Sequence, residues 1–237
     1  MTHGWRQVHA LPYSRSMELQ DTIRTTFAAR DFTDEELTDE TLYDILDVAR
    51  FAPSGGNRQG WKVLVIRSQE TRRQLADLCM PTVRRYVAEM RAGESPWNTV
   101  VPSSVTDEEA EATEVAWPML DEIDKVPVVL VVAVDLSVLA CFDKDLERVG
   151  IIGGASIYPF VWNILLAARD RGYGGTITTF LTGQEPAARE VLGLPENYAV
   201  AALVPLGRPV KQLTKLRRNP VEEFACFDRW DGDPLVR

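Results

Sequence analysis

Residues 52–61 read Ala-Pro-Ser-Gly-Gly-Asn-Arg-Gln-Gly-Trp, and this stretch is the most informative in the chain. Its glycines allow the backbone to approach a ligand closely, while Ser54, Asn57 and Gln59 bring short side chains that donate and accept hydrogen bonds. Such a loop suits a planar heterocycle with polar edges, but the same composition also occurs in ordinary turns. The residues alone leave both interpretations open.

A helix is predicted just before this loop. Thr38 is a suitable N-cap, and two acids follow it in the first turn, where the helix dipole favours them. Apolar side chains then recur at helical spacing: Leu42, Ile45, Leu46 and Ala49. Pro53 ends the helix, because proline disfavours helical geometry in the residue before it. An earlier helix is predicted over residues 17–30, with an apolar face formed by Leu19, Ile23 and Phe27.

Strands and helices follow the loop without regular alternation. Strands are predicted over residues 61–66, 128–134 and 198–206, and helices over residues 69–92, 149–171 and 186–193. The run 128–134 is continuously apolar and β-branched, which predicts a strand buried on both faces. Because the order is not a strict βαβ series, the pattern indicates an α+β fold rather than a doubly wound sheet.

The segment 149–168 carries no charged side chain and is long enough to span a membrane. Gly153, Pro159 and Asn163 interrupt it, which favours a helix buried in protein instead. Gly172 is expected to terminate this helix. No membrane association is therefore expected.

We expect one domain over residues 17–237, after an N-terminal tail of residues 1–16. The segment at about 93–124 is polar and acidic and is interpreted as an insertion, either a mobile flap over a site or a solvated excursion. From about residue 211 the chain is basic at first and then aromatic. Its large rings predict that this extension wraps a partner surface.

Composition narrows the possible functions. The 237 residues carry a net charge of −9, which argues against a nucleic-acid partner. The two histidines, His3 and His9, lie in the N-terminal tail, so His-dependent catalysis and His-ligated metals are disfavoured. The three cysteines form no Cys-x-x-Cys pair, which argues against a zinc site and fits a reducing cytoplasm.

Residues 52–61 resemble the A-P-S-x-x-N-x-Q-x-W signature of the nitroreductase family of FMN enzymes. Three further elements resemble the family in the same order. Arg30-Asp31-Phe32 matches an R-x-F element, and Gly153-Gly154-Ala155-Ser156 followed by residues 167–175 match a buried helix with a glycine turn. Arg217-Arg218-Asn219-Pro220 match a basic pair before a proline. The resemblance covers residues 20–232. It implies a nitroreductase-like fold, with a central mixed or antiparallel sheet flanked by helices and a C-terminal tail that wraps the partner of a homodimer.

The resemblance also implies a role for each matching residue. Ser54, Gly55, Asn57 and Gln59 would contact the flavin ring from the neighbouring subunit, and the backbone of Gly174, Gly175 and Thr176 would pass over the ring edge. Arg30 would stabilise the negative charge of reduced flavin. Arg218, helped by Arg217 or Lys215, would hold the phosphate, since arginine suits a bidentate grip.

One element departs from the family. Thr26-Phe27-Ala28 stands where the family commonly has R-R-S or R-H-S, so the usual arginine and serine for the phosphate are missing. Arg24, about one helical turn earlier, is a candidate replacement. Without it, FMN would be held more weakly, and a deazaflavin stays possible.

The resemblance implies an oxidoreductase that passes electrons from NADH or NADPH through FMN to a planar acceptor, such as a nitroaromatic or a quinone, by a ping-pong mechanism. The flavin carries the chemistry, so no catalytic side chain is required. One alternative is a flavin enzyme of the same fold that performs dehydrogenation, dehalogenation or flavin cleavage. Another is a non-catalytic flavin-binding dimer.

Overall fold

A four-stranded antiparallel sheet organises the chain. The computed structural model describes residues 17–237, so the predicted N-terminal tail, with both histidines, lies outside the described residues. The strands are β1 (Trp61–Ile66), β2 (Val128–Asp135), β3 (Gly174–Gly175) and β4 (Tyr198–Gly207). Their order across the sheet is β1-β2-β4-β3, and every pair is antiparallel. The predicted α+β class is confirmed.

Helices cover the sheet, and short 3₁₀ turns join several of them. The helices are α1 (Leu19–Thr25), α2 (Asp39–Ala49), α3 (Gln69–Arg91), α4 (Asp107–Glu111), α5 (Pro118–Asp121), α6 (Tyr158–Asp170) and α7 (Glu185–Leu192). The 3₁₀ turns are Gly55–Asn57, Ile123–Lys125, Leu136–Val138, Ile152–Ser156, Phe180–Gln184 and Val221–Glu223.

Strand β2 divides the core into two apolar clusters. Its side chains alternate between the two faces of the sheet, as the pleat requires. Leu130 and Val132 join the cluster that contains α2 and α6, whereas Val129 and Val131 join the cluster that contains α3. Since both faces are covered, the prediction of a doubly buried strand is confirmed.

Helix α2 follows its sequence signals. The Thr38 hydroxyl oxygen accepts a hydrogen bond from the backbone N–H of Thr41 at 3.2 Å, and the helix ends at Ala49, four residues before Pro53. Leu42 and Ile45 are buried against the sheet. The predicted cap and apolar face are confirmed.

Helix α1 is shorter than predicted and buries a different face. It ends at Thr25, and Leu19 and Ile23 are 68% and 47% exposed. The buried side chains are Thr22 and Thr26. The helix stops because the next residues take extended geometry beside β3, where the N–H of Ala29 donates to the carbonyl of Gly175 at 2.9 Å. The prediction of a helix to residue 30 was wrong.

Helix α6 also begins later than predicted. Residues 152–156 form a 3₁₀ turn, and the α-helix starts at Tyr158 with Pro159 in its first turn, where proline's missing N–H costs nothing. The predicted end is confirmed, since Gly172 has a φ of +80° directly after the helix. Among residues 17–237, no helix combines the length and the apolar character needed to cross a membrane.

The segment 93–124 is anchored to the core near its carboxyl end. It contains α4 and α5, and Met119, Leu120 and Ile123 are buried in the cluster with α3. In contrast, the tail after β4 exposes its rings: Phe224 is 71% exposed and Trp230 is 99% exposed. A flap over a site and a partner-wrapping tail both remain predictions.

Candidate functional site

The loop at residues 54–59 holds an unusual backbone through its own hydrogen bonds. Gly56, Asn57 and Gln59 have φ values of +61°, +53° and +50°, in the left-handed region. The Ser54 hydroxyl accepts from the N–H of Gln59 at 3.0 Å, and the Gln59 side-chain amide donates to Oδ1 of Asn57 at 3.1 Å. Strained conformations persist where the surroundings fix them, and they concentrate at functional sites.

Two neighbours fix this loop on the molecule. The N–H of Gly55 donates to Oγ of Ser156 at 3.0 Å, and Nη1 of Arg58 donates to the carbonyl of Val138 at 3.4 Å. Trp61 stacks on Phe160, with ring centroids 4.6 Å apart. The loop therefore rests on the segment that leads into α6, and Trp61 is part of the core.

The glycine turn is packed too tightly for any larger residue. A Cβ on Gly175 would lie 2.4 Å from the carbonyl oxygen of Pro205 and 2.5 Å from Cδ2 of Leu206. Gly174 and Thr176 are also buried. Close contact with β4 is thus a sufficient reason for the glycine at position 175, independent of any ligand.

Arg30 lies on a segment whose two neighbouring residues, Ala29 and Asp31, form backbone hydrogen bonds to other parts of the chain. Ala29 bonds to Gly175 as described above, and the carbonyl of Asp31 accepts from the N–H of Val210 at 3.1 Å. The Arg30 side chain is exposed and donates to the carbonyl of Ala28 at 3.2 Å. It lines a cavity of about 610 Å³ together with Phe32, Trp117 and Lys125.

The predicted phosphate-binding residues meet at one place. Arg24, Lys215 and Arg218 line a cavity of about 530 Å³ together with Ile23. Arg217 does not line it, but its carbonyl accepts from Nη1 of Arg218 at 2.7 Å. Within residues 17–237, none of these four cations forms an ion pair. Their charges are available to an anion.

The predicted site residues therefore form two groups. The first contains Arg24, Arg30, the glycine turn and the basic residues 215–218, and the second is the loop 54–59. In the part of the chain that the structure describes, no hydrogen bond joins the two groups.

An ion pair behind the glycine turn was missed by the sequence analysis. Arg208 pairs with Glu35 through both carboxylate oxygens, and its guanidinium lies 5.0 Å from the ring centroid of Tyr173. The hydrogen bond from Arg208 holds the pKa of Glu35 below its usual value. No local pattern marks these residues, because they meet only in the folded chain.

The potential metal ligands and the cysteines are scattered among residues 17–237. No group of three or more potential ligands that could hold a metal ion occurs among residues 17–237. Burial raises the pKa of Cys79 to about 12, so this thiol is unreactive at neutral pH. Cys141 is half-buried and Cys226 is exposed, and all three cysteines are free.

Comparisons with known proteins agree with this geometry. The model of the nitroreductase family matches residues 23–208. A nitrobenzene nitroreductase of Ectopseudomonas oleovorans is 27% identical, over 88% of this chain and 96% of the relative. Two solved structures have the same fold at a TM-score of 0.65 and 21% identity. They are an NADPH:FMN oxidoreductase from Vibrio harveyi with NAD⁺, covering 90% of this chain and 78% of that one, and an iodotyrosine deiodinase with FMN and 3-iodo-L-tyrosine, covering 90% and 100%.

The fold and the relatives together define the class of protein, an α+β oxidoreductase. The match over most of the chain then identifies the family: this chain belongs to the nitroreductase family. The predicted fold, family and class of enzyme are confirmed. The predicted cofactors, FMN with NAD(P)H, agree with these neighbours, since one of the two solved structures contains FMN and the other is an NADPH:FMN oxidoreductase.

Proposed function

We propose that this chain passes electrons from NADH or NADPH to a planar acceptor, such as a quinone or a nitroaromatic, with FMN held between two copies of the chain. The observation that carries the proposal is the convergence of Arg24, Lys215 and Arg218 on one cavity. The side chain of Gln212 donates to the carbonyl of Thr25, the residue after Arg24, at 3.0 Å, which ties the carboxyl-terminal segment to the end of α1.

The chemistry of these residues fits FMN. Guanidinium and ammonium groups bind phosphate well, and cations without acidic partners are notable in a chain of net charge −9. Arg24 supplies the cation that the Thr26-Phe27-Ala28 departure removes, because it lines the same cavity as the carboxyl-terminal basic residues. The exposed amides of Asn57 and Gln59 can donate to and accept from the polar edge of a flavin ring.

Bound FMN would supply the hydride and electron transfer, which no side chain of this protein can perform. The protein's part is to bind and to orient. Arg30, on a segment hydrogen-bonded at both ends, would offer a positive charge to the negative reduced cofactor. The loop at residues 54–59, with its fixed backbone, presents donors and acceptors without further ordering.

We propose a homodimer because no hydrogen bond joins the two groups of site residues within the described part of one chain, and because the tail exposes large rings. The exposed rings of the tail, Phe224, Phe227 and Trp230, supply an apolar surface suited to a second copy. Light scattering should give twice the mass of the 26.6 kDa chain at micromolar concentration. A stable monomer with intact FMN binding would contradict the shared site.

Two substrates that use one pocket in turn should show ping-pong kinetics. Double-reciprocal plots of NADH oxidation at several quinone concentrations should give parallel lines. Intersecting lines would show that both substrates are bound at once and would refute this order. The absorption spectrum of the purified protein is the first test, because a colourless protein that also fails to take up added FMN would refute the proposal as a whole.

Reductive dehalogenation is a second candidate. It is favoured by the fold shared with the FMN-bound iodotyrosine deiodinase. Assays with two substrates distinguish the two candidate functions. Release of iodide from 3-iodo-L-tyrosine under reducing conditions supports dehalogenation. Rapid NADH oxidation with quinones and no iodide release supports the first candidate.

A further inference from the structure

Asp143 is a buried carboxylate in the loop between β2 and α6. It is only 4% exposed, and its Oδ2 accepts from the backbone N–H of Ile151 at 2.8 Å and from Nη1 of Arg148 at 2.7 Å. The N–H of Ile152 donates to the same oxygen at 3.4 Å. The backbone hydrogen bond from Ile151, followed by the one from Arg148, holds the pKa of Asp143 below its usual value. The carboxylate is therefore charged at neutral pH.

This carboxylate caps the 3₁₀ turn Ile152–Ser156. The first N–H groups of a helical turn have no partner inside the turn, and a side-chain oxygen can accept from them. Ile151, the residue at the N-cap, has an apolar side chain that cannot do this. Asp143 supplies the acceptor from eight residues upstream.

Close packing fixes the same turn along its side. A Cβ on Gly153 would lie 2.9 Å from Sγ of Cys141 and 3.2 Å from Cδ2 of Leu139, so the backbone of the turn lies directly against the segment that precedes Asp143. The turn is thus held at its start by the carboxylate and at its middle by packing.

The end of the turn contacts the predicted flavin-binding loop. Oγ of Ser156 accepts from the N–H of Gly55 at 3.0 Å, and a Cβ on Gly55 would lie 3.4 Å from the same oxygen. Gly55 is one of the residues predicted to contact the flavin ring. Hydrogen bonds and one short turn therefore connect Asp143 to the loop at residues 54–59.

The other oxygen of this carboxylate contributes little. Oδ1 of Asp143 is buried and accepts no hydrogen bond from residues 17–237. A buried charge that is only half satisfied adds little net stability, because desolvation offsets the gain from its partners. The segment that Asp143 orders explains its placement better than the stability of the fold does.

We propose that Asp143 is a positioning residue for the flavin: through the turn that ends at Ser156, it fixes the loop at residues 54–59 in its binding conformation. The inference rests on the proposed function and adds to it a residue outside the two predicted groups. The left-handed backbone of this loop costs free energy and persists only while its surroundings fix it. Loss of this anchor should therefore weaken the contacts to the flavin ring and leave the phosphate contacts intact.

Flavin binding to the full-length apoprotein tests this role. Asp143→Ala should raise the Kd of FMN about tenfold, the lower end of the loss expected for one hydrogen bond to a charged group. It should raise the Kd of riboflavin by the same factor, because the loop contacts the ring that both molecules share. Asp145→Ala is the matched control and should change neither Kd, since Asp145 is exposed and pairs with Lys144. An unchanged Kd in Asp143→Ala, or a loss for FMN alone, would overturn the proposal.

A conservative variant and a double variant distinguish positioning from general instability. Asp143→Asn keeps an oxygen that can accept from Ile151 and should retain most of the affinity. Ser156→Ala removes the acceptor for Gly55 and should raise both Kd values as Asp143→Ala does. Because the two side chains act along one path, the double variant should bind little worse than either single variant. Multiplied losses in the double variant, or an Asp143→Asn variant as weak as Asp143→Ala, would refute this path.

Hydrogen exchange separates this inference from the proposed function. In the apoprotein, the backbone N–H groups of a peptide covering residues 52–61 should exchange faster in Asp143→Ala than in wild type, while circular dichroism shows both to be folded. Equal exchange rates, or failure of Asp143→Ala to fold, would overturn the inference alone. A wild type that takes up no flavin would overturn the proposed function, whereas faster exchange in the variant would still support the coupling of Asp143 to the loop.

Discussion

Removing Arg218 should weaken the binding of FMN and leave the binding of riboflavin unchanged. Arg218 shares its cavity with Arg24 and Lys215, and all three are without acidic partners among residues 17–237. A hydrogen bond to a charged group contributes about 1.5–3 kcal/mol, which corresponds to roughly a 10- to 150-fold change in Kd. Arg218 is exposed and two other cations remain, so solvent screening places the expected effect near tenfold.

Flavin fluorescence, quenched on binding, measures both dissociation constants on the apoprotein. Riboflavin lacks the phosphate, so the ratio of its Kd to that of FMN isolates the phosphate contact. Arg218→Ala should reduce this ratio about tenfold, and Arg24→Ala with Arg218→Ala should reduce it further. Arg58→Ala is the matched control, because Arg58 donates to Val138 and does not line this cavity. An unchanged ratio in Arg218→Ala would show that the phosphate is held elsewhere.

Three further outcomes are expected. Gly175→Ala should lower the free energy of unfolding by about 1–3 kcal/mol or more, because its Cβ would lie 2.4 Å from a carbonyl oxygen of β4. Gly55→Ala is the control and should change this free energy little, since a Cβ on Gly55 has no neighbour nearer than 3.4 Å. Equal melting temperatures for the two variants would contradict this packing. Arg208 lowers the pKa of Glu35, so the ion pair stabilises the fold above the carboxyl's usual pKa of 4.5, and this stabilisation is lost as pH falls through the lowered pKa. The difference in unfolding free energy between wild type and Glu35→Gln should therefore vanish in acid. A difference that does not depend on pH would refute the pairing. Arg30→Ala, fully loaded with FMN, should slow reduction by NADH in stopped-flow absorbance, and a wild-type rate would show that Arg30 is structural.

Much of the fold could be predicted because its signals are local. The cap of α2, the glycine after α6 and the apolar run of β2 each depend on neighbouring residues, and the structure has them where they were expected. The errors fall where a tertiary contact overrides local preference. Residues 26–29 have a helical pattern, but the chain leaves the helix to pair with Gly175, where the N–H of Ala29 donates to the carbonyl of Gly175.

The sequence by itself determined the family, through the order of short motifs and above all through residues 52–61. Only the tertiary structure decided which side chains share a site. Arg24 joins Lys215 and Arg218 across nearly the whole length of the chain, and Glu35 meets Arg208 in the same way. The physical reason is that helix caps, turns and strand patterns act between neighbours in sequence, whereas cavities and charge clusters depend on how distant segments are brought together in the fold.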